Sequence, residues 1–365
     1  MNEPTIHVLQ SPPLVVGVDL GGTELRAAVL RGAQLLSRIS LPTGTNPTPN
    51  RIIPCIYHAI DQVLDATDTE LDQIKGIGIG VAGPLDSRTG VVFAPPNLSG
   101  WDNVPLHKIF RKHFNIPVFV ENDANSAALG EHMFGAGRGC RDMVYLTIGT
   151  GIGGGVLLNG QILKGRNGTA GELGHMTVDW HGERCNCGNV GCLESIASGT
   201  AIARRAQKAI DTKRGRELLA FAYALRRHTS EAGRLDPSFH NYANHEHFTR
   251  EQKVEASPIS ARTVWLAAQA GIPSAFSLIK DAAEALGVGL VNIVHIFNPD
   301  MIILGGGVTQ MGPLLMEPAL QIVKERAMHI PSKAVRIVQA ELGVDAGLIG
   351  AGALVYHSIE RGELL

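Results

Sequence analysis

Short apolar runs rich in β-branched residues alternate along this chain with longer helical stretches. The runs Ile74 to Val81, Val118 to Val120, Met301 to Leu304 and Val335 to Val338 predict strands. The stretches near Ile52 to Leu64, Ala124 to Phe134, Ser274 to Phe297 and Leu314 to Ala327 predict helices. Two segments repeat one another. Val15-Val16-Gly17-Val18-Asp19-Leu20-Gly21-Gly22-Thr23 runs on to Val29-Leu30-Arg31-Gly32, and Met143-Val144-Tyr145-Leu146-Thr147-Ile148-Gly149-Thr150-Gly151 runs on to Leu157-Leu158-Asn159-Gly160. Each copy reads as strand, glycine turn, strand and tight turn. With strands and helices alternating after each copy, the pattern predicts a duplicated α/β protein with a cleft between two lobes.

The expected division is a tail over 1–13, a small α/β lobe over 14–135 and a large α/β lobe over 136–365. The loop-like Gly135-Ala136-Gly137-Arg138-Gly139 marks the junction, and the C-terminal helix is allowed to return to the small lobe. The polar stretch 228–260, with His228, His240, His245 and His247, breaks the alternation and predicts a surface insertion. A lid or a subunit contact is the alternative for it.

Composition narrows the classes. With 44% hydrophobic and 18% charged residues among 365, the chain is ordinary folded material. A formal net charge of -2 gives no basic field, so nucleic acid is not an expected partner. No apolar stretch reaches the roughly 20 residues a membrane helix needs, and Met1 to Pro13 lacks the features of a secretory signal. Of five cysteines three are clustered, leaving Cys55 and Cys140 as isolated thiols, a pattern that suits a reducing cytoplasm.

Three motifs carry chemistry. His175, Cys185, Cys187 and Cys192 follow a His-x9-Cys-x-Cys-x4-Cys spacing that supplies four ligands for a closed structural Zn2+, with His181 as the competing fourth ligand. Glu172 and Glu194 flank that cluster, so a metal knot would also fix two carboxylates able to bind a polyol. Glycine turns make the second motif: Gly21-Gly22-Thr23 beside Asp19, the run Gly149-Thr150-Gly151-Ile152-Gly153-Gly154-Gly155 after Thr147, and Gly305-Gly306-Gly307 after a predicted strand. Glycines let backbone N-H groups approach a polyphosphate, and a crevice at strand carboxyl ends suits a nucleotide, with Asp19 near Mg2+. Neither a P-loop nor a dinucleotide fingerprint is present. The third motif is Glu121-Asn122-Asp123-Ala124-Asn125, where Asp123 is the candidate general base for phosphoryl transfer to an alcohol and, alternatively, a helix cap.

These motifs in this order, with Pro96-Asn97-Leu98-Ser99-Gly100-Trp101, Glu172-Leu173-Gly174-His175 and Leu304-Gly305-Gly306-Gly307-Val308, resemble the ROK family (repressor, open reading frame, kinase), and its bacterial glucokinases above all. The resemblance covers nearly the whole chain apart from the tail and the insertion. It implies an actin-like, hexokinase-like ATPase fold of duplicated ribonuclease H-like domains. It also implies ATP- and Mg2+-dependent phosphorylation of D-glucose to glucose 6-phosphate, in a homodimer or homotetramer. Carried onto this sequence, Asn97, Asn122, Glu172, His175 and Glu194 would contact sugar hydroxyls and Asp123 would be the base. Asp19, Gly21, Gly22, Thr23, Thr147, Gly149, Thr150, Gly151, Gly305, Gly306 and Gly307 would surround the nucleotide. N-acetylmannosamine, N-acetylglucosamine or another hexose is the alternative acceptor, and polyphosphate or ADP the alternative donor. Family repressors add an N-terminal helix-turn-helix, for which residues 1–13, with Pro4, Pro12 and Pro13, offer too little chain.

Overall fold

The computed structural model describes residues 12–93, 95, 98–228 and 258–363. Asn97 and most of the expected polar insertion, including His240, His245 and His247, lie outside them. In the first sheet, β1 (Leu14–Leu20), β2 (Glu24–Arg31) and β3 (Gln34–Pro42) form an antiparallel meander. β4 (Ile74–Val81) joins parallel to β1. A small sheet of β5 (Leu85–Asp86), β6 (Val91–Val92) and β7 (Val104–Pro105) intervenes, and β8 (Val118–Asn122) then pairs parallel with β4. The order is β3-β2-β1-β4-β8.

The second sheet repeats this topology strand for strand. β9 (Met143–Ile148), β10 (Ile152–Leu158) and β11 (Gln161–Ile162) form the meander, and β12 (Met301–Gly305) and β13 (Arg336–Gln339) add in parallel, in the order β11-β10-β9-β12-β13. Between β10 and β11 the predicted reversal is a two-residue turn with Asn159 at φ 54° and Gly160 at φ 72°, the left-handed pair a tight hairpin needs.

Helices cover the sheets according to their apolar faces. α1 (Pro49–Asp65) starts with proline, whose missing N-H costs nothing in the first turn, and buries Ile52, Ile56, Ala59, Ile60 and Val63 along one face against β2 and β3. α2 (Leu106–Phe114) brings Leu106, Phe110 and Phe114 to the same core. In the second half α4 (Leu193–Ala197), α5 (Gly199–Ile210), α6 (Arg216–His228), α7 (Ala261–Gln269), α8 (Pro273–Phe297), α9 (Pro313–Arg326) and α10 (His329–Ala334) follow. The 25-residue α8 runs through the second core and packs on α9. Among the described residues no helix is long and apolar enough to cross a membrane.

Two helices exchange partners between the halves. α3 (Asp123–Phe134) follows β8 of the first sheet yet packs on β9 and β10 of the second. α11 (Ala346–Glu360) ends the second half yet packs on β1, β4 and β8 of the first. They cross each other with main chains in contact: a Cβ at Gly350 would lie 2.1 Å from the Ser126 carbonyl oxygen. Likewise a Cβ at Gly78 on β4 would lie 1.7 Å from the Ala351 carbonyl oxygen, so any side chain there must push α11 off the sheet. Both helices are buried on nearly every side, which is why α3 shows no amphipathic pattern from Ala124 to Glu131.

Gly78→Val should therefore destabilise the protein by about 3 kcal/mol or more, the upper end of overpacking costs, as read by chemical denaturation. An exposed control, Gly44→Ala, meets no atom within 4 Å but has φ 76°, and should cost only the smaller backbone penalty.

Candidate active site

The apolar strand β8 ends in Glu121-Asn122, and α3 begins at Asp123. Capping falls to Asn122, whose Oδ1 accepts from Ala124 N at 2.9 Å and Asn125 N at 3.2 Å. Asn122 keeps its Nδ2 for other partners, with Gly83 O at 3.4 Å. Asp123 is thus not the cap. Its carboxylate accepts from Ala124 N at 2.8 Å and lines two cavities at once. Burial, followed by the negative charges of Asp19 and Glu172, raises its pKa from 3.8 to about 7, outweighing the backbone bond that lowers it.

The first cavity, about 400 Å3, lies between the sheets and collects Asp19, Asp123, Thr147, Gly149, Gly305, Gly306 and Gly307. Asp19, next to last in β1, is buried, which raises its pKa, while the adjacent Arg26 guanidinium opposes the rise. Arg26 donates from Nη2 to Asp19 Oδ2, and from Nη1 to Val344 O at 2.6 Å, tying β2 to the chain just before α11. A Cβ at Gly347 would sit 2.6 Å from Asp19 Oδ2, so the first turn of α11 also presses on this carboxylate. Gly149 and Gly307 have open space where a side chain would be and face the cavity. Gly21, Gly22, Thr23, Thr150 and Gly151 do not line it.

The glycines of β10 carry a packing role beside the one expected. Cβ atoms at Gly153 and Gly155 would lie 2.9 Å and 2.5 Å from the Ala124 and Ala128 methyls, and one at Gly154 would lie 2.5 Å from Gly171 O. They let α3 and the 171 loop lie on the strand, so packing accounts for these three without a ligand. Gly151 yields space to Glu194, whose Oε2 would stand 2.5 Å from its Cβ and accepts from Ile152 N at 2.9 Å.

The second cavity, on the other side of Asp123, is lined by Asn122, Asn125, Gly153, Gly154, Gly168, Thr169 and Glu172. His175 lies just beyond Glu172, with Nε2 3.9 Å from Glu172 Oε2 and Nδ1 3.7 Å from Cys185 Sγ. One ring nitrogen faces the thiols and the other faces the carboxylate. Ligand atoms of His175, Cys185, Cys187 and Cys192 all fall within 4.8 Å of one another, and Cys187 Sγ and Cys192 Sγ are 3.7 Å apart. A tetrahedron with Zn-S bonds of about 2.3 Å has edges near 3.8 Å, so donor set and spacing fit a zinc ion. All five cysteines are free thiols. Burial pushes the Cys192 thiol up to about 12, and a divalent cation would reverse that by binding the thiolate. His181 is not part of this group; its backbone N-H donates to Asp179 Oδ1 at 3.0 Å.

Several positioning residues escape sequence reasoning. Glu121, 2% exposed, accepts from Asn122 N at 3.0 Å and Asn125 Nδ2 at 3.2 Å and pairs with Lys164 Nζ at 3.2 Å. Glu131, fully buried, accepts from the backbone N-H groups of Ala136, Glu341 and Leu342. Trp101, the end of the Asn97 motif, is buried and donates from Nε1 to Pro47 O at 2.7 Å, pinning that loop to the start of α1. Lys164, Glu341, Leu342 and Pro47 are remote partners with no local signal, and although Glu121 and Trp101 belong to motifs visible beforehand, those motifs mark neither as a positioning residue. A larger cleft of about 560 Å3 behind β8, lined by Lys164, His357 and Arg361, reaches neither Asp19 nor Asp123.

A sequence profile described as the ROK family matches residues 15–358. A glucokinase of Halalkalibacterium halodurans is 35% identical over 95% of this chain and 97% of its own length. A putative xylose repressor of a Caldicellulosiruptor species is 30% identical over 96% of this chain and 80% of its own. The crystal structure of a ROK family glucokinase from Streptomyces griseus, in complex with glucose and AMPPNP, aligns with a TM-score of 0.74 at 32% identity, covering 94% of this chain and 99% of that one. The two sheets and the cleft between them are accordingly those of the actin-like ATPase fold.

Metal analysis of protein purified without chelator should find about one zinc per chain. Cys187→Ser should lower that content at least several-fold and reduce thermal stability, because the loop from Met176 to Cys192 is closed by the same four ligands. Full zinc in Cys187→Ser would exclude this ligand set.

Proposed function

The chain belongs to the ROK family, and on that footing we propose that it is a sugar kinase that transfers the γ-phosphoryl group of ATP to the 6-hydroxyl of D-glucose. The observation that carries this reading is the place of Asp123: a half-buried, largely desolvated carboxylate with its pKa near 7, shared by a glycine-lined cavity and a polar one. A general base works best when its pKa lies close to the working pH.

In the proposed mechanism the sugar occupies the polar cavity, held by Asn122 Nδ2, Glu172, the Nε2 face of His175 and Glu194, with Asn97, outside the described residues, as the further contact that the family resemblance implies. Asp123 accepts the proton of the attacking hydroxyl as the oxygen bonds to phosphorus. The nucleotide lies along Gly149, Thr147 and Gly305-Gly306-Gly307, with Gly21, Gly22, Thr23, Thr150 and Gly151 as the wider expected set. Mg2+ would neutralise phosphate charge. Asp19 is the carboxylate placed to hold it or its water, and releasing Asp19 from Arg26 would be part of loading the site. A zinc ion held by Cys185, Cys187, Cys192 and His175 would orient His175, since a metal-bound imidazole has its ring plane and tautomer fixed.

A sugar-sensing regulator is the second reading, favoured by the likeness to the putative xylose repressor. A sensor needs only the polar cavity. The paired acids Asp19 and Asp123, facing the cavity with open glycines, carry raised pKa values that cost stability, and they favour phosphoryl transfer over sensing alone.

A coupled assay with ATP and Mg2+ over glucose, mannose, fructose, N-acetylglucosamine and N-acetylmannosamine should show glucose as the preferred acceptor. Turnover of an N-acetylhexosamine alone would overturn the choice of sugar, and turnover of none would overturn the kinase. Asp123→Asn should lower kcat by about 10²-fold or more with sugar affinity nearly unchanged, whereas Asp19→Asn should raise the Mg2+ requirement. Equal and small losses for both would contradict the division of roles.

A further inference from the structure

We infer that Asn125 sets acceptor specificity, its carboxamide oxygen accepting a hydrogen bond from one hydroxyl of the sugar; the identity of the ligand rests on the sugar-kinase reading. Asn125 stands in the first turn of α3 and is 2% exposed. Its Nδ2 donates to Glu121 Oε1 at 3.2 Å, and Glu121 is itself held by Lys164 Nζ and Asn122 N. An ionised carboxylate only accepts, so the amide nitrogen must face it and the orientation of the carboxamide is fixed. The oxygen therefore points the other way. There it is fully buried and has no hydrogen-bond partner among the described residues.

Asn125, which carries this orphan acceptor, is one of the residues lining the cavity of Asn122, Asp123 and Glu172. The other buried atoms without partners, Ser87 Oγ, Arg205 Nη1, Trp265 Nε1 and Ser274 Oγ, do not line it. Across from it is Gly171, at φ 90°, where even an added Cβ would stay 3.9 Å from Asn125 Oδ1, so no side chain on that wall supplies a donor. Leaving a buried carbonyl oxygen unpaired is costly, and a ligand donor would recover that cost. Together with the carboxylates of Asp123 and Glu172 it makes the cavity rich in acceptors, which suits hydroxyl hydrogens and disfavours anionic groups such as phosphate. A site built to bond a hydroxyl rejects the analogue that lacks it, which is how one buried oxygen becomes a selector.

Titration calorimetry of the full chain with glucose and its monodeoxy analogues, without ATP, tests this directly. In the wild-type protein, removing the hydroxyl that meets Asn125 should weaken binding about 10-fold or more. In Asn125→Ala that penalty should fall to within about twofold while the penalties at the other positions persist, the signature of a direct pair. Asn125→Ser, closer in polarity, repeats the test if the alanine variant does not fold. Unchanged penalties at every position, a uniform weakening, or no binding of any hexose would overturn the inference. Because binding is read and not turnover, the two claims separate. Sugar bound in this pattern without being phosphorylated would sink the kinase reading and leave Asn125 in place; phosphorylation with unchanged penalties would do the reverse.

Discussion

The cleft depends on the crossing of α3 and α11, where main chain meets main chain. Each helix lies on the sheet of the other half, and each can do so only because Gly350, Gly78 and their neighbours carry no side chain. The crossing brings the start of α3, with Asp123, and the start of α11, with Gly347, to the same cavity as Asp19. Close-packed interiors transmit small displacements, so the two carboxylates hold their separation only while the helices hold theirs. Burial raises both pKa values; the charge of Asp19 adds to the rise at Asp123, while at Asp19 the Arg26 guanidinium opposes it.

A second constraint acts from the other side. His175 offers one ring nitrogen to the thiols and the other to Glu172, and Glu194, two residues after Cys192, fastens the backbone at Ile152. Ordering the cysteine loop thereby orders the polar cavity and the turn at Gly149-Thr150-Gly151. Glu194 already spends one oxygen on that turn, and Asn122 spends its oxygen on the cap of α3. These side chains are pre-organised by bonds to the protein, which spares a ligand the entropy of ordering them.

Much of this was legible in the chain. The duplicated strand-turn-strand segments became β1-β2 and β9-β10, and the apolar runs became the parallel strands beside them. Cysteine spacing singled out the four residues that the fold brings together. What escaped was tertiary. Nothing local told Asn122 from Asp123 as the cap, since both residue types cap helices; the difference lies in which side chain turns back over the first turn. The glycines at 153, 154 and 155 suggested a ligand, and their role became clear only with α3 and Gly171 lying on them. Arg26, Lys164 and Val344 act through partners on remote elements, for which no periodicity gives a signal.

The central claim is that Asp123 is a base tuned by burial between two cavities. Its most direct test is the pH dependence of kcat/KM for glucose at subsaturating substrate, which reports ionisations of the free enzyme. Only the ionised carboxylate can take the hydroxyl proton. A pKa raised from 3.8 to about 7 therefore predicts that kcat/KM falls tenfold per pH unit below about 7 and is level above it. A profile flat from about pH 5 upward, breaking only near the ordinary carboxylate range, would contradict the account.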